Sequence, residues 1–210
     1  MTRRTRGTFL VLEGIDGVGK STLLRALARE LRRRGLSVAV RREPADPRLG
    51  ALAQSSAAED PWTGAVYFTV DRQLAAPDLE RDLARHDVVL QDRSFYSTLA
   101  YQGSALPPRD RRRLAELQRS ATRSPDRVLL LDLDPAEAVR RLGGRDLRRG
   151  PLERKRTLVR VARAYRALAR SNHWHVLDAR APPRELLRQV LEYLELPASS
   201  RPRRPTRRRR

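Results

Sequence analysis

Residues 14–21 read Gly-Ile-Asp-Gly-Val-Gly-Lys-Ser, which fits the spacing G-x-x-x-x-G-K-[ST]. No other stretch restricts the fold as much. Before it lies the apolar run Phe9–Glu13, which reads as a strand. After it, Thr22 to Arg34 carries Leu23, Leu24, Leu27, Ala28 and Leu31 on one face, with Gly35 as a stop. A strand, a glycine-rich turn and a helix in that order aim a ring of backbone N–H groups and a positive helix end at one point, which suits phosphate oxygens. Gly14, Ile15, Asp16, Gly17, Val18, Gly19, Lys20, Ser21 and Thr22 are therefore the expected site for a nucleoside triphosphate such as ATP. Lys20 would reach the β- and γ-phosphates, and the Ser21 hydroxyl would face Mg²⁺. Composition strengthens the reading. Of 45 basic residues only Lys20 and Lys155 are lysine. A compact ammonium fits inside a ring of amides where a planar guanidinium does not.

Further short apolar runs predict strands at Ser37–Arg41, Val88–Gln91, Val128–Leu131 and His173–Leu177. Helical spacing occupies Trp62–Ala76, Pro108–Arg119, Pro135–Leu142, Leu152–Ala169 and Pro183–Leu194. Pro77 is expected to interrupt the first of these, with Asp78–Arg85 as a continuation. Strands alternating with helices predict an α/β fold, a five-stranded parallel sheet covered on both faces. The 210 residues fit one such domain over 1–196, followed by an Arg-rich tail at 197–210 whose composition predicts disorder. The net charge is +20, and the seven arginines of that tail with Arg3, Arg4 and Arg6 supply half of it. The remainder suits an anionic ligand, and nucleic acid is not the expected partner. No apolar run approaches membrane-spanning length, the basic start lacks a signal-peptide core, and there is no cysteine, all of which fits a cytoplasmic protein.

The strand ends carry the remaining candidates, since the ligand crevice of an open parallel sheet lies there. Asp92-Arg93 follows Val88-Val89-Leu90. The acid can hold Mg²⁺ directly or through water, and the guanidinium can fork onto a phosphate. Arg42 ends the preceding strand and is a candidate for an acceptor phosphate. Phe68 and Arg72 share a helix face, as do Thr98 and Gln102. Asp16 is unexpected beside phosphates unless it faces an acceptor hydroxyl or the metal. From 143 to 153 a basic loop bounded by glycines predicts a lid, and Arg145, then Arg149, are its candidates for neutralising charge on a moving phosphoryl group.

These motifs resemble the thymidylate kinase family over nearly all of residues 7–196. The likeness is carried by Phe9-Leu10-Val11-Leu12-Glu13-Gly14-Ile15-Asp16-Gly17, by Arg42-Glu43-Pro44, by Asp92-Arg93 with Ser97-Thr98-Leu99-Ala100-Tyr101-Gln102-Gly103, by Pro125-Asp126 and by Leu131-Asp132-Leu133-Asp134-Pro135. The resemblance implies strand order 2-3-1-4-5, a homodimer, and ATP + dTMP → ADP + dTDP with Mg²⁺. It implies that Phe68 stacks on thymine, that Arg72 donates to its O4, that Thr98 lies near the base and that Tyr101 crowds the sugar's 2′ position. It also implies the subtype that has Gly17 in the loop and its arginines in the lid. The chain departs from the family at Ser94, where an aromatic or His is usual, and at Ala45-Asp46-Pro47, where a glycine pair is usual. Both changes fall on the acceptor side, so another pyrimidine deoxynucleotide is the alternative acceptor and a nucleic-acid-stimulated ATPase the more distant reading.

Overall fold

The computed structural model describes residues 6–143 and 151–195, with backbone alone at 151–154. Arg145, Arg149 and the 197–210 tail lie outside the described residues. The elements are β1 (Thr8–Glu13), α1 (Lys20–Arg33), β2 (Val38–Arg42), α2 (Pro47–Glu59), α3 (Pro61–Arg85), β3 (Val88–Asp92), α4 (Phe95–Tyr101), α5 (Pro108–Ala121), β4 (Arg127–Asp132), α6 (Pro135–Leu142), α7 (Pro151–Ser171), β5 (His175–Asp178) and α8 (Pro183–Leu194). All pairings are parallel, and the order is β2-β3-β1-β4-β5, as expected.

Alternation along the central strands builds three layers. Leu10, Leu12 and Leu90 belong to one core, with Leu23, Leu27 and Leu31 of α1, Val161 and Tyr165 of α7, and Leu186 and Val190 of α8. Phe9, Val11 and Val89 belong to a second core with Leu83 of α3. Such double-sided burial explains why β1, β3 and β4 read as continuous apolar runs, while the edge strands β2 and β5 leave Val40 and Val176 half-exposed.

Three local expectations are corrected. The helix broken at Pro77 is one continuous element, α3. Gln73 and Pro77 both face solvent, so water can take the carbonyl that the proline leaves unpaired. Helix α2 is unexpected from apolar periodicity because its buried residues are only Gly50 and Ala53. Its signal is Asp46-Pro47, an N-cap accepting from Arg48 N followed by proline at the first helical position. The same dipeptide starts α3 at Asp60-Pro61 and α6 at Asp134-Pro135. The last strand begins at His175, two residues late, because His173 takes a left-handed conformation with φ 53°.

Small residues let α2 lie close on α3. A Cβ at Gly64 would meet Ala57 Cβ at 2.4 Å, and one at Gly50 would meet Pro44 Cγ at 2.3 Å. Asp71 of α3 accepts from Ala45 N at 2.8 Å and Asp46 N at 2.7 Å, pinning the β2–α2 turn over the strand ends. The result is a wall of short side chains facing the ends of β1 and β3.

Candidate active site

The loop from Gly14 to Gly19 closes between β1 and α1 with positive φ at Gly14, Gly17 and Gly19. Space as well as conformation requires glycine at two of them. A Cβ at Gly14 would sit 2.5 Å from the Leu131 carbonyl, and one at Gly17 would sit 2.7 Å from that of Ala138. A side chain at Gly17 has no room without moving α6. Lys20 is buried, and its Nζ donates to the loop carbonyls of Gly14 (2.9 Å) and Ile15 (3.0 Å). Burial, with Arg93 nearby, pulls the ammonium down to about 8 although Asp16, Asp92 and Glu13 oppose this.

Glu13, at 0% exposure, organises the other side of the site. One carboxylate oxygen accepts from Ser94 N and Ser94 Oγ, both at 2.8 Å. The other accepts from Ser97 Oγ at 2.7 Å and Tyr165 Oη at 2.9 Å. A buried carboxylate with four donors is fully satisfied, and these four tie the start of α4 and the middle of α7 to the end of β1. Arg93 sits between those elements. Its backbone is left-handed with φ 72°, a costly state for a residue that carries a Cβ. Both backbone groups are held, N–H to the Leu12 carbonyl (3.0 Å) and carbonyl by Gln91 Nε2 (2.9 Å).

This turn sends the guanidinium to the phosphate loop. Arg93 Nη2 meets Asp16 Oδ1 at 2.6 Å, Nη1 donates to Ser97 Oγ (3.1 Å) and Tyr165 Oη (3.3 Å), and the group lies 5.1 Å from the Tyr101 ring centroid. Tyr101 Oη donates to Asp16 Oδ2 at 2.9 Å. The cleft walls alone would raise Asp16, but Arg93, Lys20 and the Tyr101 hydroxyl outweigh them and hold its carboxyl at about 2. It therefore stays ionised near neutrality, and burial with Asp16 close by pushes the Tyr101 phenol well above its ordinary value.

A cleft of about 470 Å³ runs from this charged end toward α2 and α3. Asp16, Arg93, Ser97 and Tyr101 line one end, and Phe68, Arg72, Thr98 and Gln102 line the other. Glu43, Pro44 and the small side chains of Ser55, Ala57 and Ala58 close it, along with Thr157 and Leu158 of α7. The predicted residues Asp16, Arg93, Phe68, Arg72, Thr98, Tyr101 and Gln102 are thus brought together. Arg42 is not: it is exposed at the end of β2, in register with Asp92, and does not line this cleft. Thr22 is exposed at the start of α1, beside the groove between α1 and α8.

Ser21 Oγ donates to Asp92 Oδ2 at 2.8 Å, while Asp92 Oδ1 is buried with no hydrogen-bond partner. An orphaned carboxylate oxygen beside a hydroxyl at the phosphate loop is the donor set that Mg²⁺ uses when phosphates and water complete its shell. No group of three or more acidic, His or Cys side chains able to hold a metal occurs among the described residues. The fit is therefore to a cation that arrives with its phosphates.

The role of Glu13 beneath this site was not legible from spacing, and neither Ser97 nor Tyr165 announces itself in sequence. Glu43 was visible at a strand end but without a partner. In the structure it pairs with Arg72 at 2.7 Å and accepts from Gln91 Nε2 at 3.0 Å. Burial raises its carboxyl, and Arg72 only partly offsets that.

A phosphate cradle with a buried lysine, joined through an Asp–Arg pair to an enclosed cleft for a second anionic molecule, defines a P-loop phosphotransferase of the nucleoside monophosphate kinase class. The comparisons narrow the class. The family model "Thymidylate kinase" matches residues 12–190. The chain is 33% identical over 192 residues to a "Probable thymidylate kinase" of Pyrobaculum calidifontis, covering 89% of this chain and 95% of that protein. It is 36% identical over 200 residues to a "Thymidylate kinase" of a Synechococcus species, covering 88% and 94%. It is 36% identical over 192 residues to one of Xanthomonas oryzae pv. oryzae, covering 88% and 81%. The chain belongs to the thymidylate kinase family.

The lowered Lys20 ammonium gives a direct test of the phosphate loop. Its folded value of about 8 lies below the ordinary 10.5, so near pH 8 a large share is neutral; bound phosphates favour the charged form. Titrating Mg·ATP at pH 8 in buffers of different ionisation enthalpy should show uptake of roughly half a proton per site. Lys20→Met should abolish that uptake.

Proposed function

We propose that this protein transfers the γ-phosphoryl group of ATP to dTMP with Mg²⁺, forming ADP and dTDP. The observation that carries the reading is the cleft itself. One cleft joins Arg93 and Asp16 of the phosphate loop to Phe68, Arg72 and Thr98, which gives an anion and a base a shared space.

An oxygen of the dTMP phosphate attacks Pγ as the bond from Pγ to the β–γ bridging oxygen breaks, and ADP leaves. The protein's part is positioning and charge neutralisation. Lys20 leaves the Gly14 and Ile15 carbonyls for the β- and γ-phosphates. Arg93, already aimed across the gap, takes the acceptor phosphate and the transferring group. Ser21 and Asp92 would hold Mg²⁺, which would supply charge neutralisation to the β- and γ-phosphates. Asp16 accepts from the acceptor's 3′-hydroxyl, and the Tyr101 ring beside it fills the space that a 2′-hydroxyl needs. Phe68 stacks on the base, Arg72 donates to its O4, and Thr98 and Gln102 sit beside it. Cytosine carries an amino donor where thymine has O4, so the Arg72 donors oppose it. Arg145 and Arg149 remain the proposed lid arginines.

A homodimer is part of this reading. On α3, Val66, Val70 and Leu74 repeat every four residues at 40%, 41% and 70% exposure, with Leu52 of α2 at 48%. Such a stripe on the outside of the α2–α3 wall suits a second copy. A cytoplasmic site is proposed because the substrates are cytoplasmic nucleotides; no helix among the described residues is long and apolar enough to cross a membrane.

The acceptor is tested by coupled ADP release with Mg·ATP and each of dTMP, dUMP, dCMP, dGMP and AMP, beside a DNA-only control. Fast turnover is expected with dTMP, at least about tenfold above dCMP in kcat/KM. Equal rates across the pyrimidines would remove the Arg72 argument, and stimulation by DNA alone would remove the acceptor cleft. Oligomeric state is tested by sedimentation: the wild type should run as a dimer and Leu74→Glu as a monomer, whereas a monomeric wild type would refute the stripe's role.

A further inference from the structure

Arg72 is held by more partners than a residue that only meets a substrate requires. Its Nε donates to Glu43 at 2.7 Å. Its Nη2 donates to Thr98 Oγ1 at 2.5 Å and, more weakly, to the Ser94 carbonyl at 3.5 Å. Its Nη1 donates to Gln118 Oε1 at 2.9 Å. Gln118 comes from α5, is 0% exposed and does not line the cleft. One Nη1 hydrogen is left without a partner among the described residues, and Arg72 itself lines the cleft.

The direction of every bond behind Gln118 is forced. A guanidinium offers donors only, so Gln118 must present its oxygen to Arg72. Its amide nitrogen must then point the other way, where it donates to Thr69 Oγ1 at 2.7 Å. The Ala65 carbonyl can only accept, so the Thr69 hydroxyl places its own hydrogen there at 2.8 Å. The chain ends on the α3 backbone one turn earlier than Thr69, so the orientation of Gln118 is anchored to the same helix that carries Arg72 and Phe68. On the opposite side Glu43 fixes Nε, and Gln91 fixes Glu43. The guanidinium can neither slide nor turn without breaking a buried bond.

We propose that Gln118 is a positioning residue for acceptor selection: it fixes the Arg72 guanidinium so that a single remaining N–H is aimed at the 4-position of a pyrimidine, admitting a carbonyl and opposing an amino group. The inference rests on the dTMP reading above and deepens it. The rejection of an amino group depends on rigidity. A loosely held guanidinium can swing away from the cytosine amino group and relieve the clash, and it loses thymine's hydrogen bond by the same motion. Without Gln118, dTMP is therefore used less well and dCMP is opposed less.

The test compares wild type with Gln118→Met, which keeps the length and removes the acceptor, and with Gln118→Glu, which keeps an acceptor for Arg72. KM and kcat are measured for dTMP, dCMP and ATP. For Gln118→Met the KM for dTMP should rise about tenfold and the dTMP-over-dCMP ratio of kcat/KM should fall about tenfold, with the KM for ATP unchanged. Gln118→Glu should keep that ratio within about threefold of wild type. Should the Met variant not fold, Thr69→Val removes the hydroxyl that anchors the Gln118 amide, and it should lower the ratio about threefold. A wild type selective for dTMP with an unchanged ratio in these variants would overturn the role of Gln118 alone. A wild type that does not use dTMP would overturn the underlying reading and the inference with it.

Discussion

The buried carboxylate of Glu13 is the interaction on which the site depends. It stands at the end of β1, one residue before the phosphate loop, and gathers donors from the β3–α4 turn and from α7. Removing it would leave two serine hydroxyls, a tyrosine hydroxyl and a backbone N–H without their acceptor in the interior, a cost of about 1–3 kcal/mol for each group left unsatisfied. The more specific consequence concerns Arg93. Its left-handed backbone persists because Leu12, Gln91, Ser97 and Tyr165 over-determine its place, and Glu13 holds the last two. The place of Arg93 beside the loop after β1 thereby follows from the strand order: β1 lies between β3 and β4, so that loop and the turn after β3 are neighbours.

A second constraint operates at the far end of the cleft, where every donor and acceptor around Arg72 has one allowed direction. The two ends differ in their chemistry. At the phosphate end, charge is concentrated and partly exposed, ready for a ligand to rearrange it. Lys20 sits on loop carbonyls that it can leave, and Asp92 keeps an unpaired oxygen. At the Arg72 end, burial and directed hydrogen bonds fix one arrangement before any ligand arrives. At the phosphate end the fixed Arg93 is joined by Lys20, whose ammonium can exchange loop carbonyls for other oxygens, whereas discrimination between a carbonyl and an amine needs a rigid donor.

Sequence made the phosphate end legible because its chemistry is local. Gly14 to Ser21 lie consecutively, and Asp92-Arg93 follows an apolar strand. Helical spacing put Phe68 with Arg72 and Thr98 with Gln102, and all four line the cleft. What stayed hidden depends on long-range placement. Glu13 and Tyr165 are 152 residues apart, and Arg72 and Gln118 are 46 apart. Helix α2 was hidden for a different reason. It packs through Gly50 and Ala53, so it carries no apolar stripe, and only the Asp46-Pro47 start marks it. Arg42 and Glu43 differ although they are neighbours at the end of an edge strand: Arg42 is exposed and lines a separate hollow with Arg41 and Arg72, while Glu43 lines both that hollow and the cleft.

On the proposed function, these charges direct the γ-phosphoryl group to a second nucleotide and not to water. Phosphorus NMR of ATP, Mg²⁺ and dTMP mixed with the protein measures that directly. The β-phosphate signal of dTDP should grow in step with ADP, with little inorganic phosphate. Growth of inorganic phosphate while dTMP stays unchanged would contradict it.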